Sequence, residues 1–273
     1  MISCRGKQFR REFANIAEMR SLVPAHVKLM ALTATASRSS RKNIMQILCM
    51  ENAAITSITP NKTNIVYHVE QWKEGIHEVM EGVVERVMLN RTECKRTIIY
   101  CRTISDCIDV FKYFRKKLGK DMFEPQGSPN LSQFRIVDMY CSCTSTDVQK
   151  SILSSFMKPS GKLRIVIATI AFGLGLDCPD VRYVLHWGPP SNIEAYLQET
   201  WRAGRDGLHS DAILYFGPGQ LRKDIVSQAM INYCKNTDEC RRKLLLSDFD
   251  GFENVELGSS CCDICVSHDM CND

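Results

Sequence analysis

Six short apolar, largely β-branched runs separated by helix-patterned stretches constrain this chain most: VKLMAL (27–32), NIVYHV (64–69), RTIIYC (96–101), FRIVDMY (134–140), LRIVIAT (163–169) and VRYVLHW (181–187). Strands that are apolar on both faces are buried on both faces, and helices between them are the crossovers of a parallel sheet. The expected fold class is therefore α/β, a parallel sheet flanked by helices over residues 61–216. The Pro- and Gly-rich segment 119–132 reads as a surface excursion. Residues 1–60, with one expected strand and two helices, are too few to close such a sheet and read as the remnant of a first domain. Beyond residue 217 two helices, about 220–235 and 239–246, lead into a cysteine cluster, a third small module over 217–273.

With 273 residues, 44% of them apolar, the chain is long enough to bury one large or two smaller cores. Its longest apolar run, LRIVIATIAFGLGL (163–176), is too short and too Gly-interrupted to span a bilayer, so no membrane partner is expected. The N-terminus lacks a hydrophobic signal segment, which points to the nucleus or the cytoplasm. The net charge of +4 is uneven: residues 1–50 hold nine Lys/Arg against Glu12 and Glu18. Such a basic end suits a polyanion, with a solvated helix face as the alternative. From Ser247 onward there are seven acidic residues and no Lys or Arg, so that end is expected to face away from nucleic acid. Of the 14 cysteines, those inside apolar runs read as buried thiols. Cys240, Cys261, Cys262, Cys265 and Cys271 crowd a polar, acidic segment and read as a metal site.

In open parallel sheets ligands gather at the carboxyl ends of strands. The segments TATAS (33–37), CRTIS (101–105) and TIAFGLGLD (169–177), with QETWRAGRDG (198–207) one helix later, are expected to bring hydroxyls, glycines and arginines to one edge. Gly173 and Gly175 let backbone amides approach a ligand, and Asp177 can accept from a hydroxyl or orient a loop.

Taken together, TATA, IIYC and the run VIATIAFGLGLDCPDVRYVLHWGPPSNIEAYLQETWRAGRDG resemble the RecQ family of superfamily two DNA helicases, in order and spacing. The likeness extends from about Ile2 to Cys265. It implies two RecA-like domains that clamp ATP with Mg²⁺ and move 3′ to 5′ on single-stranded or forked DNA. By that resemblance Arg202 and Arg205 reach the γ-phosphate during hydrolysis, a surface salt bridge being the plainer reading. Gly175, Asp177 and Gln198 line the nucleotide cleft. Thr33 and Thr35 couple nucleotide state to DNA, with a helix N-cap as the alternative for Thr35 or Ser37. Thr169 and Arg102 contact DNA phosphates. CRRKLLLSDFDG followed by CCDIC resembles the RecQ zinc-binding subdomain, where four thiolates hold one Zn²⁺. Cys240, Cys262 and Cys265 match three ligands; the fourth place falls near Ser259, so Cys271 or Cys261 replaces it.

The sequence also departs from the family. It contains no GxxxxGK[ST] loop and no strand ending in an Asp-Glu-Ala-His box, and ISCRGKQFRREF resembles the family segment immediately after that box. Arg5, Gly6 and Lys7 stand where the family has Trp-Gly-His, and YCSCTS (140–145) replaces Tyr-His-Ala-Gly. Trp201 occupies a family glycine, where it either stacks on an arginine or crowds the cleft. The chain thus reads either as part of a RecQ-like ATP-dependent helicase, inactive alone, or as a non-catalytic DNA-binding or regulatory protein. A DEAD-box RNA helicase shares the paired arginines without predicting the terminal cysteines.

Overall fold

The computed structural model describes residues 18, 22–24, 26–33, 35, 37–50, 52–58, 60–170, 172, 177–251 and 260–270. They fall into two compact units, Met1–Asn61 with Leu245–Glu256, and Lys62–Leu244 with Leu257–Asp273.

Among its described residues the larger unit carries six strands: β1 (Ile65–Gln71), β2 (Arg96–Cys101), β3 (Val137–Tyr140), β4 (Ile165–Ala168), β5 (Val181–Trp187) and β6 (Ser210–Phe216). They form one sheet in the order β1-β6-β5-β2-β4-β3, every pairing parallel. All six residues of central β2 are buried, its apolar stretch 98–101 on both faces as a parallel sheet requires and Arg96 paired with Asp180. Helices α2 (Ile76–Asn90) and α3 (Ile104–Leu118) cover one face, packing Met80, Val83 and Val87 with Val110 and Phe114 onto Ile99, Ile165, Ile167 and Leu185. A Thr103–Asp106 capping box starts α3, and Arg115, Lys116 and Lys117 close its last turn, where cations oppose the negative end of the helix dipole. After α4 (Thr146–Met157) and α5 (Ile193–Thr200), three short helices follow β6: α6 (Gln228–Lys235), α7 (Arg241–Leu246) and α8 (Asp263–Met270).

Residues 261–263 run along the free edge of β1. Tyr67 pairs with Cys262 in a parallel bridge, the Tyr67 amide donates to the Cys261 carbonyl (3.4 Å) and the Val69 amide to Asp263 Oδ2 (3.0 Å). Arg242, only 2% exposed, donates to the carbonyls of Lys62 (2.6 Å) and Ile65. The segment thus occupies backbone donors that an edge strand otherwise presents to solvent.

In the smaller unit, α1 (Arg38–Ile47) is capped by Ser37, whose hydroxyl accepts from the Ser40 amide (3.2 Å). The N-cap alternative thus belongs to Ser37, not Thr35. The expected strand at 27–32 is not formed: these residues are irregular, and Met30 and Leu32 are 78% and 87% exposed. Among the described residues of this unit no strand lies beside it, and an unpaired strand leaves its ladder groups unsatisfied. Among the described residues no helix is long and apolar enough to cross a membrane.

Candidate functional site

The two arginines sit at the amino edge of the sheet. Helix α5 begins after the carboxyl end of β5, with Asn192 Oδ1 accepting from the Ala195 amide (2.8 Å), and runs back antiparallel to the strands, so Trp201–Gly207 emerge beside the first residues of β1, β5 and β6. Gly204 is the pivot of that turn. Its amide donates to Val181 O (3.0 Å), and Asn64 Nδ2 donates to Gly204 O (2.8 Å) and Leu208 O (2.9 Å). Its φ is +57°, and a Cβ there would lie 2.2 Å from Asn64 Nδ2, so only glycine fits.

Arg205 Nη1 donates to Asp177 Oδ1 at 2.7 Å, and Asp177 is 84% exposed. The salt-bridge reading therefore holds for Arg205, but such pairs contribute about 0–1 kcal/mol and are readily exchanged for a stronger anion. Arg202 lies inward, and its Nε is buried without a hydrogen-bond partner. Below it Tyr100 is pushed well above the ordinary phenol range by burial, with the Arg202 charge opposing. Lys62 joins the group: its ammonium donates to Trp201 O (2.8 Å), and burial and then the Arg205 charge lower its pKa. Three cations converging on one turn can bind and orient a phosphate-like anion.

The floor beneath this turn is a buried pair, His186 Nε2 and Glu199 Oε2 at 3.0 Å, with the imidazole stacked on Tyr100. Sequence reasoning missed Lys62, His186 and Glu199. The available signal was a histidine inside an otherwise apolar strand and a lysine two residues before Asn64.

The expectation that all candidate residues gather at one edge is corrected. Arg102 and Thr169 follow β2 and β4 at the carboxyl edge, where Arg102 is exposed and Thr169 half-buried. Asp177, Arg202 and Arg205 start from the opposite edge, because a crossover helix returns the chain to the strand starts, although the Arg202 side chain reaches Tyr100 on the sheet between them. Gln198 is exposed on the last turn of α5. Trp201 ends α5 through its own amide to Leu197 O (3.0 Å), and its indole nitrogen is buried. Gly173 and Gly175, Arg5 to Lys7 and Cys271 lie outside the described residues. Thr33 and Thr35 belong to the smaller unit; Thr33 is exposed, Thr35 is buried, and the Thr35 amide meets Thr33 Oγ1 (3.3 Å). There, too, Arg38 pairs with Asp250 (3.0 Å), Arg41 chelates both its oxygens, and Ser39 meets Asp248 (2.8 Å). Two of the nine N-terminal basic residues are thus neutralised by the acidic C-terminal segment.

The second candidate is a thiol centre. The Sγ atoms of Cys240, Cys261, Cys262 and Cys265 lie within 4.8 Å of one another, with separations of 3.3 Å (Cys240–Cys261), 3.7 Å (Cys261–Cys265) and 4.0 Å (Cys240–Cys262). Four sulfurs at about 2.3 Å from a tetrahedral zinc stand about 3.8 Å apart, so the cluster fits the ion. Without a cation the crowded thiols oppose one another: hydrogen bonds from Cys240 and Cys261 pull the Cys262 thiol down, while Cys240 and Cys262 push the Cys261 thiol up. Four adjacent thiolates are mutually compatible only around a cation. Cys240 and Cys262 are placed by the Arg241–Asp263 ion pair between their neighbours.

Residues 78–207 match the family described as helicase conserved C-terminal domain, and residues 220–266 match RecQ zinc-binding. ATP-dependent DNA helicase Q1 of Rattus norvegicus is 30% identical over 277 residues, covering 97% of this chain and 41% of that protein. ATP-dependent DNA helicase RecQ of Pasteurella multocida is 30% identical over 282 residues, covering 97% of the chain and 40% of that protein. The chain thus spans about two fifths of these relatives. Among solved structures, S. cerevisiae Dbp5 L327V bound to RNA and ADP BeF3 overlays with a TM-score of 0.58 at 14% identity, covering 92% of this chain and 59% of that one, a likeness of fold alone.

Proposed function

Because the chain belongs to the RecQ family of superfamily two DNA helicases, we propose that it forms the second motor domain and zinc module of an ATP-dependent 3′ to 5′ helicase acting on single-stranded or forked DNA. The observation that carries this reading is the cationic turn at the amino edge, where Gly204 holds Arg202 and Arg205 beside Lys62. When bound, ATP with Mg²⁺ supplies the free energy of translocation. The 273 residues contain no GxxxxGK[ST] cradle, so phosphate and Mg²⁺ are not held by this chain's own residues and no hydrolytic step is assigned to them. Its arginines supply charge to a nucleotide held outside the described residues. Arg102 and Thr169, at the far edge, meet DNA phosphates, and Cys240, Cys261, Cys262 and Cys265 hold one structural Zn²⁺.

A second reading is a non-catalytic DNA-binding or regulatory half-motor, in which the cations Arg205 and Lys62 bind an anion without turning it over. Single-stranded-DNA-stimulated ATP hydrolysis by this chain mixed with the first motor domain of a RecQ helicase, with DNA affinity read against salt, separates the two. Turnover that appears on mixing and is lost in Arg202→Ala supports the motor; salt-dependent DNA binding without turnover in the mixture supports the half-motor. A chain that neither hydrolyses ATP nor binds DNA refutes both.

A further inference from the structure

At the carboxyl end of β3 a second thiol pair stands apart from the zinc centre. Cys141 Sγ and Cys143 Sγ are 2.6 Å apart, well inside the contact distance of two non-bonded sulfurs and close to a bonded S–S of about 2.05 Å. A short turn holds them there. The Cys141 amide donates to Thr144 Oγ1 (3.1 Å), the Thr144 amide returns to Cys141 O (3.1 Å), and Gln149 Nε2 donates to the same carbonyl (3.1 Å). Cys141 is buried and Cys143 exposed, so one sulfur meets solvent and the other waits behind it.

The other described thiols outside the zinc centre do not share this setting. Burial pushes Cys94 up, and carries Cys178 and Cys234 to about 12. Cys101 is raised by Cys107 and by burial. Cys141 goes the other way: against burial, hydrogen bonds from Cys143 and Thr144 lower it. A thiolate is the attacking form in disulfide exchange: Cys143, raised by its hydrogen bond with Cys141, meets a solvent disulfide through its exposure, and the lowered Cys141 thiol is suited to the second, resolving attack.

We propose that Cys141 and Cys143 form a reversible redox-modification site, closing to a Cys-x-Cys disulfide by exchange with a small disulfide such as oxidised glutathione. The Cys143 thiolate attacks one sulfur of glutathione disulfide, forming a mixed disulfide and releasing one glutathione thiolate. The Cys141 thiolate then attacks the Cys143 sulfur, the Cys141–Cys143 bond forms, and the second glutathione leaves. Two protein thiols are oxidised, one glutathione disulfide is reduced, and both protons end on the glutathione thiols. Thiol reductants reverse the sequence. Because Tyr140 pairs with Ala168 across β3 and β4, the closed turn lies beside Thr169.

The test incubates the zinc-loaded chain with glutathione disulfide, blocks remaining thiols by alkylation and maps the peptides by mass spectrometry, with zinc content followed in parallel. The expected result is a peptide containing both cysteines lighter by two hydrogens, full zinc retention, and restoration by dithiothreitol. Cys143→Ala, at an exposed position, loses the linkage, and Cys107→Ser keeps it. The Cys107 charge reaches Cys143, so a Cys107–Cys143 linkage overturns the proposal. So does a glutathione adduct on Cys143 that never resolves, or alkylation of both thiols in full after oxidation.

Discussion

Replacing Gly204 by alanine tests whether the arginine turn depends on a glycine pivot. Three quantities enter. An L-residue in the left-handed region costs about 1–2 kcal/mol, and Gly204 sits at φ +57°. The added Cβ would stand 2.2 Å from Asn64 Nδ2 and 2.9 Å from Leu208 O and Ser210 Oγ, so the Asn64 amide must move off. That amide makes two hydrogen bonds, to Gly204 O and Leu208 O, each contributing about 0.5–1.5 kcal/mol. The expected loss for Gly204→Ala is therefore about 2–5 kcal/mol, and for Asn64→Ala about 1–3 kcal/mol. The double variant loses the same two hydrogen bonds once, so it is expected to cost about 2–5 kcal/mol, falling short of the sum by about 1–3 kcal/mol. Urea unfolding of the zinc-loaded chain measures all four corners of the cycle as midpoint shifts at constant slope. A Gly204→Ala variant within about 0.5 kcal/mol of the parent, or penalties that add in full, would refute the reasoning.

The zinc module should hold about one Zn²⁺ per chain; Cys261→Ser is expected to lose it and Cys271→Ser to retain it, read by metal analysis and by protease resistance of residues 220–266, and the opposite pattern would move the fourth ligand to Cys271. In the smaller unit Arg41 and then Arg38 hold the Asp250 carboxyl well below the ordinary range. A carboxylate depressed on folding stabilises above its unfolded pKa of about 3.9 and loses that contribution as pH falls through the lower folded value. Asp250→Asn should therefore be less stable than the parent near neutrality and equal to it in strong acid. Curves parallel across the whole range would show that the ion pairs contribute nothing.

What the sequence revealed tracks how strongly each feature depends on local pattern. Five strands were legible because β2 and β4 are buried on both faces and β5 nearly so, their apolar runs broken only at Arg96, Thr97, Arg182 and His186, with β1 and β3 following at the edges. Strand β6 was missed: its residues alternate buried and half-buried, and Asp211 interrupts the run. The false strand at 27–32 has the composition of a strand without a partner among the described residues of its unit, and pairing is not written in a single segment. The cysteine cluster was legible from crowding alone. Its member Cys261 was not, since Cys261 joins the group only where residues 261–263 fold back onto β1. Likewise RAGRDG announced a special turn, but its edge depended on the direction of α5, and its supports Lys62 and Asn64 are distant in sequence.

The sheet has two borders, and they are finished differently. β3 is four residues long and offers little to a stranger. β1 is seven residues long, long enough to template another chain, and its outward amides at Tyr67 and Val69 are taken by the cysteine-bearing segment 261–263. The metal that fastens this segment therefore guards solubility as well as local shape. Stripped of zinc, the molecule would present a ready-made seam to its own copies, and self-association, ahead of unfolding, becomes its first mode of failure.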